Sequence, residues 1–164
     1  MLSLGIDPGT ATVGYGLVRE LNDGSLQAVR YGAIITPPSL PMNERLEMIF
    51  DQLTALIETE RPDRAAVEEL FFAKNVTTAL TVAQGRGVIL LALTKARLPL
   101  AEYKPNIIKQ SIAGYGGAKK PQMQEMVRIL LGLDTIPRPD DAADGLAVAI
   151  TDLHSFRYND AYNL

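Results

Sequence analysis

Residues 2–35 read LSLGIDPGTATVGYGLVRELNDGSLQAVRYGAII, and this stretch decides the fold. Its apolar residues fall into three short runs, which are separated by the turn sequences Pro8-Gly9-Thr10 and Asp23-Gly24. Because short links join strands that lie side by side in opposite directions, the stretch predicts an antiparallel three-stranded meander. The predicted strands cover residues 2–7, 12–19 and 26–35.

After the meander the pattern changes to alternating helices and short strands. Apolar residues recur at helical spacing from residue 41 to 60 and from 75 to 96. The short apolar runs at 64–68 and 99–103 predict two more strands. Three further helices are predicted over residues 104–112, 120–131 and 140–154. The predicted fold class is therefore α/β, a mixed five-stranded sheet flanked by helices. Residues 1–154 would form a single domain, and residues 155–164 a loosely ordered tail.

The composition fits one globular domain and limits the chemistry. A chain of 164 residues is long enough to bury a full core. It has no cysteine and a single histidine, so thiolate and multi-histidine metal sites are excluded. The N-terminus lacks the basic start and long apolar run of a signal peptide, and no stretch approaches the length of a membrane span. We therefore expect a cytoplasmic protein.

The net charge of −3 hides a strong division along the chain. Residues 70–130 hold nine basic and two acidic residues, a balance of +7, and the rest holds seven basic and seventeen acidic residues, a balance of −10. Such a division is compatible with a basic face around an acidic cleft, as in a nucleic-acid enzyme. The alternative is that the basic residues are scattered over ordinary helix surfaces.

Two acidic residues stand where predicted strands end. Asp7 ends the first strand and Glu68 the fourth, and ligands collect at such strand ends in α/β sheets. Asp7 also suits a turn that begins before Pro8-Gly9. Glu68 and Glu69 face opposite sides of a strand, so only one of them can point at a given site. From these residues alone, both choices stay open.

A second acidic group opens the last predicted helix. Asp141 and Asp144 are three residues apart and therefore share one helix face. Asp140 suits an N-cap after Pro139, and acids in a first turn are also ordinary helix-dipole chemistry. If the strand-end acids and this helix face converge, their oxygens suit hard divalent cations, two of which about 4 Å apart can support phosphodiester hydrolysis.

Longer segments of the chain resemble one known family. They are Gly5-Ile6-Asp7-Pro8-Gly9, Val67-Glu68-Glu69-Leu70-Phe71-Phe72-Ala73-Lys74-Asn75, Gln84-Gly85-Arg86-Gly87, Ala118-Lys119-Lys120 and Asp141-Ala142-Ala143-Asp144. In this order and spacing they resemble the RuvC family of bacterial Holliday junction resolvases over nearly the whole chain.

The resemblance implies a ribonuclease-H-like fold and a homodimer. It implies an endonuclease that nicks two opposing strands of a four-way DNA junction, with two Mg²⁺ or Mn²⁺ ions per active site. A branch-migration helicase complex, RuvA and RuvB, would be its partner. By position, the metal-binding catalytic acids would be Asp7, Glu68, Asp141 and Asp144, with Lys120 as a further catalytic residue. The DNA-binding residues would be Phe71, which would stack on a junction base, and Lys74, Arg86, Lys109, Lys119 and Lys120.

Three alternatives belong to other classes of protein. An actin-like or sugar-kinase-like ATPase would need a second half that repeats the opening meander, and nothing after Tyr103 does so. A relative with the same fold that processes RNA is disfavoured by the segments around Phe71 and Asp141. A junction-binding protein without activity is disfavoured by the presence of all four acids.

Overall fold

The computed structural model describes residues 1–70 and 76–162, without the side chains of residues 76–78 and 159–162. The elements in this part of the chain are β1 (Leu2–Asp7), β2 (Thr12–Glu20), β3 (Leu26–Ile35), α1 (Met42–Glu60), β4 (Arg64–Glu68), α2 (Val76–Lys95), β5 (Leu100–Tyr103), α3 (Pro105–Ala113), α4 (Lys120–Leu130) and α5 (Asp140–Tyr162).

The five strands form one mixed sheet in the order β3-β2-β1-β4-β5. Strands β1, β2 and β3 are antiparallel neighbours, whereas β4 lies parallel to β1 and β5 parallel to β4. Alternate residues of β1 (Leu2, Leu4 and Ile6) pack against α1 and α2, and the opposite face of the sheet packs against α3, α4 and α5. The predicted fold class, a mixed five-stranded sheet flanked by helices, is confirmed.

Helix α5 lies directly on the backbone of β1 and β2. A Cβ atom added at Gly5 would come within 2.2 Å of the Ala149 backbone nitrogen and within 2.3 Å of the Gly145 carbonyl oxygen. A Cβ at Gly14 would come within 2.0 Å of the Asp141 carbonyl oxygen. Side chains at these glycine positions would therefore hold the helix away from the sheet. Because glycine has no side chain, the first turns of α5 can lie close to the end of β1.

We expect Gly5→Ala to lower the free energy of unfolding by about 3 kcal/mol, because the added methyl group meets backbone atoms that cannot rotate away. Gly116→Ala is the matched control. Its Cβ would lie 3.6 Å from Asn106, an ordinary contact, so the change should stay within about 0.5 kcal/mol. Urea denaturation of the two variants measures both values. Equal stabilities would contradict the direct contact of helix and sheet.

The last helix is longer than predicted. It runs to Tyr162 instead of ending at His154, so the predicted helix end is wrong. The polar composition after His154 favours a loose tail. However, the Phe156 ring stacks on the Arg64 guanidinium at 4.5 Å, and Arg157 forms an ion pair with Glu20 of β2. These contacts stabilise the last helical turns of α5, which the sequence pattern alone does not favour. The division of the chain at residue 154 stays a prediction.

In the part of the chain that the structure describes, none of the helices combines the length and the apolar character needed to span a bilayer.

Candidate active site

Asp7 and Glu68 end two neighbouring parallel strands. Strands β1 and β4 pair in a register that sets Ile6 opposite Val67, so the next residues, Asp7 and Glu68, emerge side by side at the same edge of the sheet. The two carboxyl groups lie close enough to perturb each other's titration, and after burial the charge of Glu68 is the largest cause that raises the pKa of Asp7. The backbone N–H of the next residue, Glu69, donates to the carbonyl of Tyr103 at 2.8 Å.

Helix α5 adds two carboxylates to this pair. Asp141 and Asp144 lie on the face of α5 that meets β1. Each offers an oxygen atom that lies within 4.8 Å of the others and of an Asp7 oxygen. Asp140 is bonded instead to Arg138. The structure thus brings Asp7, Glu68, Asp141 and Asp144 together, and this group is called the acid cluster below.

Mutual repulsion and burial perturb the titration of the acid cluster. Burial is the largest cause that raises the pKa of Asp7, followed by the charges of Glu68, Asp144 and Asp141, and the result is a pKa of about 8. Burial and the charge of Asp144 also raise the pKa of Glu68. The pKa of Asp144 is raised by burial, against the opposing effect of Lys120. A divalent cation would displace the protons from these carboxyl groups, because its charge offsets their mutual repulsion. The acid cluster therefore suits such an ion.

Basic residues line the cavity in front of the acid cluster. The Lys120 Nζ atom donates to Asp144 Oδ2 at 3.0 Å. Burial lowers the pKa of Lys120, but its hydrogen bond with Asp144 and the charges of Asp144, Asp140 and Asp141 outweigh this effect and raise it. Lys109 and Lys119 line the same cavity of about 500 Å³ together with Asp7, Glu68 and Asp144. An anion could therefore bind here between the lysines and cations held by the acids.

Of the other predicted DNA-binding residues, the structure describes Arg86. Arg86 of α2 forms an ion pair with Glu102 of β5 and does not line the cavity wall. Phe71 and Lys74 lie outside the described residues. Their DNA contacts stay predictions.

One wall of the cavity was not predicted from the sequence. Gly117 and Ala118, which precede Lys119, line the cavity, as do Pro105 and Ile108 of α3 and Met123 of α4. The sequence signal is the glycine-rich stretch 114–117, which by its composition indicates only a break between two helices. A loop that joins two helices and carries two lysines at its end is a reasonable candidate for a site wall.

The raised pKa of Asp7 predicts how stability depends on pH without divalent cations. Between the ordinary pKa of 3.8 and about 8, the folded chain keeps a proton that the unfolded chain has released. The unfolded state thus binds fewer protons, and the free energy of unfolding falls as the pH rises through this window. Thermal denaturation in EDTA should show a falling melting temperature that levels off above about pH 8. Asp7→Asn should flatten the profile, and an unchanged slope in that variant would contradict the assignment.

The chain matches known proteins over nearly its full length. The model of the family described as "Crossover junction endodeoxyribonuclease RuvC" matches residues 3–152. The crossover junction endodeoxyribonuclease RuvC of Chloroflexus aurantiacus is 63% identical over 150 residues, which are 92% of this chain and 91% of that protein. The corresponding protein of Heliobacterium modesticaldum is 56% identical over 158 residues, 96% of this chain and 97% of the relative.

Solved structures agree with the sequence matches. Thermus thermophilus RuvC superposes with a TM-score of 0.88 at 34% identity, covering 96% of this chain and 97% of that one. T. thermophilus RuvC in complex with Holliday junction substrate superposes with a TM-score of 0.86 at 32% identity, covering 96% of each chain. The expected ribonuclease-H-like fold is thereby confirmed. With a family model that covers residues 3–152, this chain belongs to the RuvC family of crossover junction endodeoxyribonucleases.

Proposed function

We propose that this protein resolves four-way DNA junctions by two symmetric nicks, through metal-dependent hydrolysis of phosphodiester bonds. The convergence of Asp7, Glu68, Asp141 and Asp144 beside a lysine-lined cavity carries the proposal. The family supplies the substrate class, and a relative was solved with Holliday junction substrate. Processes that require such an enzyme are homologous recombination and DNA repair.

The acid cluster fits Mg²⁺ or Mn²⁺, and two ions are proposed for each site. Every candidate ligand is a carboxylate oxygen, which these hard cations prefer, and the described residues of the cavity include no softer ligand than Met123. When bound, the ions would make water a better nucleophile and stabilise the leaving oxygen. Asp7, Glu68, Asp141 and Asp144 would hold them.

The lysines would bind and orient the scissile phosphate. Lys120 is fixed by Asp144, so its ammonium group reaches the cavity from a defined direction and can neutralise the charge that develops on the phosphate. Lys109 and Lys119 would bind the flanking backbone. In-line attack by water would break the bond between phosphorus and the 3′ oxygen and leave 5′-phosphate and 3′-hydroxyl ends.

Paired nicks require two active sites, and helix α2 offers a surface for a homodimer. Leu80 and Leu91 of α2 are 64% and 54% exposed. The exposed Gly87 lies between them, and a Cβ atom added there would meet nothing within 4 Å among the described residues of neighbouring elements. Large exposed leucines on one helix face are typical of an interface. A two-fold axis there would present two equivalent sites to the two equivalent strands of a junction. The RuvA and RuvB partners and a cytoplasmic location stay predictions from the family and the sequence.

A cleavage assay on synthetic DNA tests the proposal. Purified protein is mixed with a labelled four-way junction or with a linear duplex of the same sequence, in Mg²⁺, Mn²⁺, Ca²⁺ or EDTA. We expect symmetric nicks in the junction with Mg²⁺ or Mn²⁺, ligatable 5′-phosphate ends and no cleavage in EDTA. Equal cleavage of the linear duplex would exclude junction specificity. Binding without cleavage in every metal would favour a junction-binding protein that lacks activity.

A further inference from the structure

Arg45 of α1 is a cation that has no carboxylate partner among the described residues. Most arginines in that part of the chain do form ion pairs with carboxylates, namely Arg30, Arg64, Arg86, Arg128, Arg138 and Arg157. The arginines without such a pair are Arg19, Arg45, Arg61 and Arg97. Three of these are exposed to solvent, whereas Arg45 is half-buried. A half-buried cation with no counter-charge is costly unless an anion joins it.

A chain of hydrogen bonds fixes the direction of the Arg45 guanidinium. Its Nε atom donates to the Thr36 hydroxyl at 2.8 Å, and that hydroxyl donates to the carbonyl of Thr10 at 2.6 Å. The Thr10 hydroxyl in turn donates to the carbonyl of Thr81 at 2.5 Å. Thr10 and Thr36 are both buried. The outer nitrogens, Nη1 and Nη2, have no hydrogen-bond partner within residues 1–70 and 79–158, so they are available to a ligand.

Arg45 lines a cavity of about 400 Å³. The loop of residues 9–12 forms one side of it, and Thr81 and Val82 of α2 form another. Arg45 is the charged residue among its described lining residues. Thr12 lines the same cavity, and its hydroxyl has no hydrogen-bond partner among the described residues. Two guanidinium N–H groups and a hydroxyl are donors that suit the oxygens of a phosphate.

The cavity lies beside the acid cluster along the chain. Gly9, which lines it, follows Asp7 by two residues, a separation of at most about 7 Å. The loop of residues 9–12 thus connects the acid cluster to the cavity that Arg45 lines. We propose that Arg45, held by Thr36 and assisted by Thr12, binds a DNA backbone phosphate that neighbours the scissile one. This inference rests on the proposed function, because it needs a bound DNA strand at the acid cluster.

The salt dependence of junction binding tests the contact directly. Binding of the four-way junction is measured in EDTA, where no cleavage occurs, over a range of NaCl concentrations. Losing one phosphate contact lowers the slope of log K against log salt by about 0.9 for each subunit that makes the contact. We expect this loss in Arg45→Met and a nearly normal slope in Arg45→Lys. Arg30→Met is the matched control, since it removes the same charge from a side chain paired with Glu60 and should keep the wild-type slope.

A second variant separates binding from folding. Thr36→Val removes the hydroxyl that orients Arg45 but keeps the charge, so binding should weaken less than in Arg45→Met and the slope should stay normal. Lower affinity of Arg45→Met with a wild-type slope would show a purely structural role and overturn the inference.

A junction in which one phosphate at a time is uncharged provides the test if Arg45→Met fails to fold. Methylphosphonates replace single phosphates of the junction, and wild-type protein, Arg45→Lys and the neutral variant Arg45→Gln are compared at each position. We expect one position close to the cut where the wild-type protein and Arg45→Lys lose affinity and Arg45→Gln loses clearly less, because it has no cation to pair with that phosphate. Identical losses for the wild-type protein and Arg45→Gln at every position would overturn the inference. Absence of cleavage by the wild-type protein would instead refute the proposed function.

Discussion

Asp7→Asn should slow junction cleavage by about 10³-fold or more while junction binding is kept, because the cluster loses a charged oxygen ligand at its centre. Burial and then the charges of Glu68, Asp144 and Asp141 raise the pKa of Asp7, so all the other cluster members act on this one carboxylate. An amide of the same shape removes that charge. Single-turnover cleavage with saturating protein measures the chemical step apart from binding.

The same substitution should leave the fold intact. A neutral amide relieves the repulsion within the cluster, so the free energy of unfolding in EDTA at pH 8 or above should be equal to the wild-type value or higher. Glu69→Gln is the matched control. It also replaces a carboxylate by an amide, but Glu69 is not a member of the acid cluster, so cleavage should change little. A cleavage rate of Asp7→Asn within tenfold of the wild-type rate would contradict the role of Asp7 as a metal-binding catalytic acid.

Arg64→Ala should lower the free energy of unfolding by about 3–5 kcal/mol, because it leaves a fully buried carboxylate without its counter-charge. Asp152 of α5 has no exposed surface. Its Oδ2 accepts from Arg64 Nε at 2.6 Å and from the Ser3 hydroxyl at 2.7 Å. Its Oδ1 accepts from Arg64 Nη2 at 2.8 Å and from the Tyr103 hydroxyl at 3.1 Å. The network joins β1, β4, β5 and α5.

Two comparisons make this prediction specific to burial. Arg30→Ala breaks an exposed ion pair with Glu60 and should cost less than about 1 kcal/mol. A double variant, Arg64→Met with Asp152→Leu, removes both charges and should recover much of the stability lost in Arg64→Ala. Chemical denaturation of the four proteins gives the free energies. A cost for Arg64→Ala no larger than that for Arg30→Ala would show that the buried pair contributes little.

The fold followed from local patterns. The runs of apolar residues at period two and at helical spacing, with turn residues between them, predicted every described strand and helix to within a few residues except the end of α5. The exception has a nonlocal cause. Arg157 and Phe156 are held by Glu20 and Arg64, which lie far away in the sequence, and no local pattern reports such partners.

The candidate site was only partly accessible from the residues. Spacing placed Asp141 and Asp144 on one helix face but left Glu68 or Glu69, and Asp141 or Asp140, as open choices that the family resemblance resolved. In the structure, the parallel register of β1 and β4 sets Glu68 beside Asp7. Arg138 forms an ion pair with Asp140, which is not among the acids whose oxygens converge with an oxygen of Asp7. Arg86, identified from its segment, is paired with Glu102, a contact that no pattern in the sequence suggested.

The sequence by itself determined the order of the elements, the family and the four acids, because periodicity and motif spacing are properties of neighbouring residues. Only the tertiary structure decided how closely those acids meet. Gly5 and Gly14 allow α5 to lie on the sheet backbone, and this approach brings the oxygens of Asp7, Asp141 and Asp144 within 4.8 Å of one another. The raised pKa values, the buried Arg64–Asp152 pair and the cavity at Arg45 depend on the same long-range packing. Burial and charge proximity exist only once distant segments of the chain are in contact.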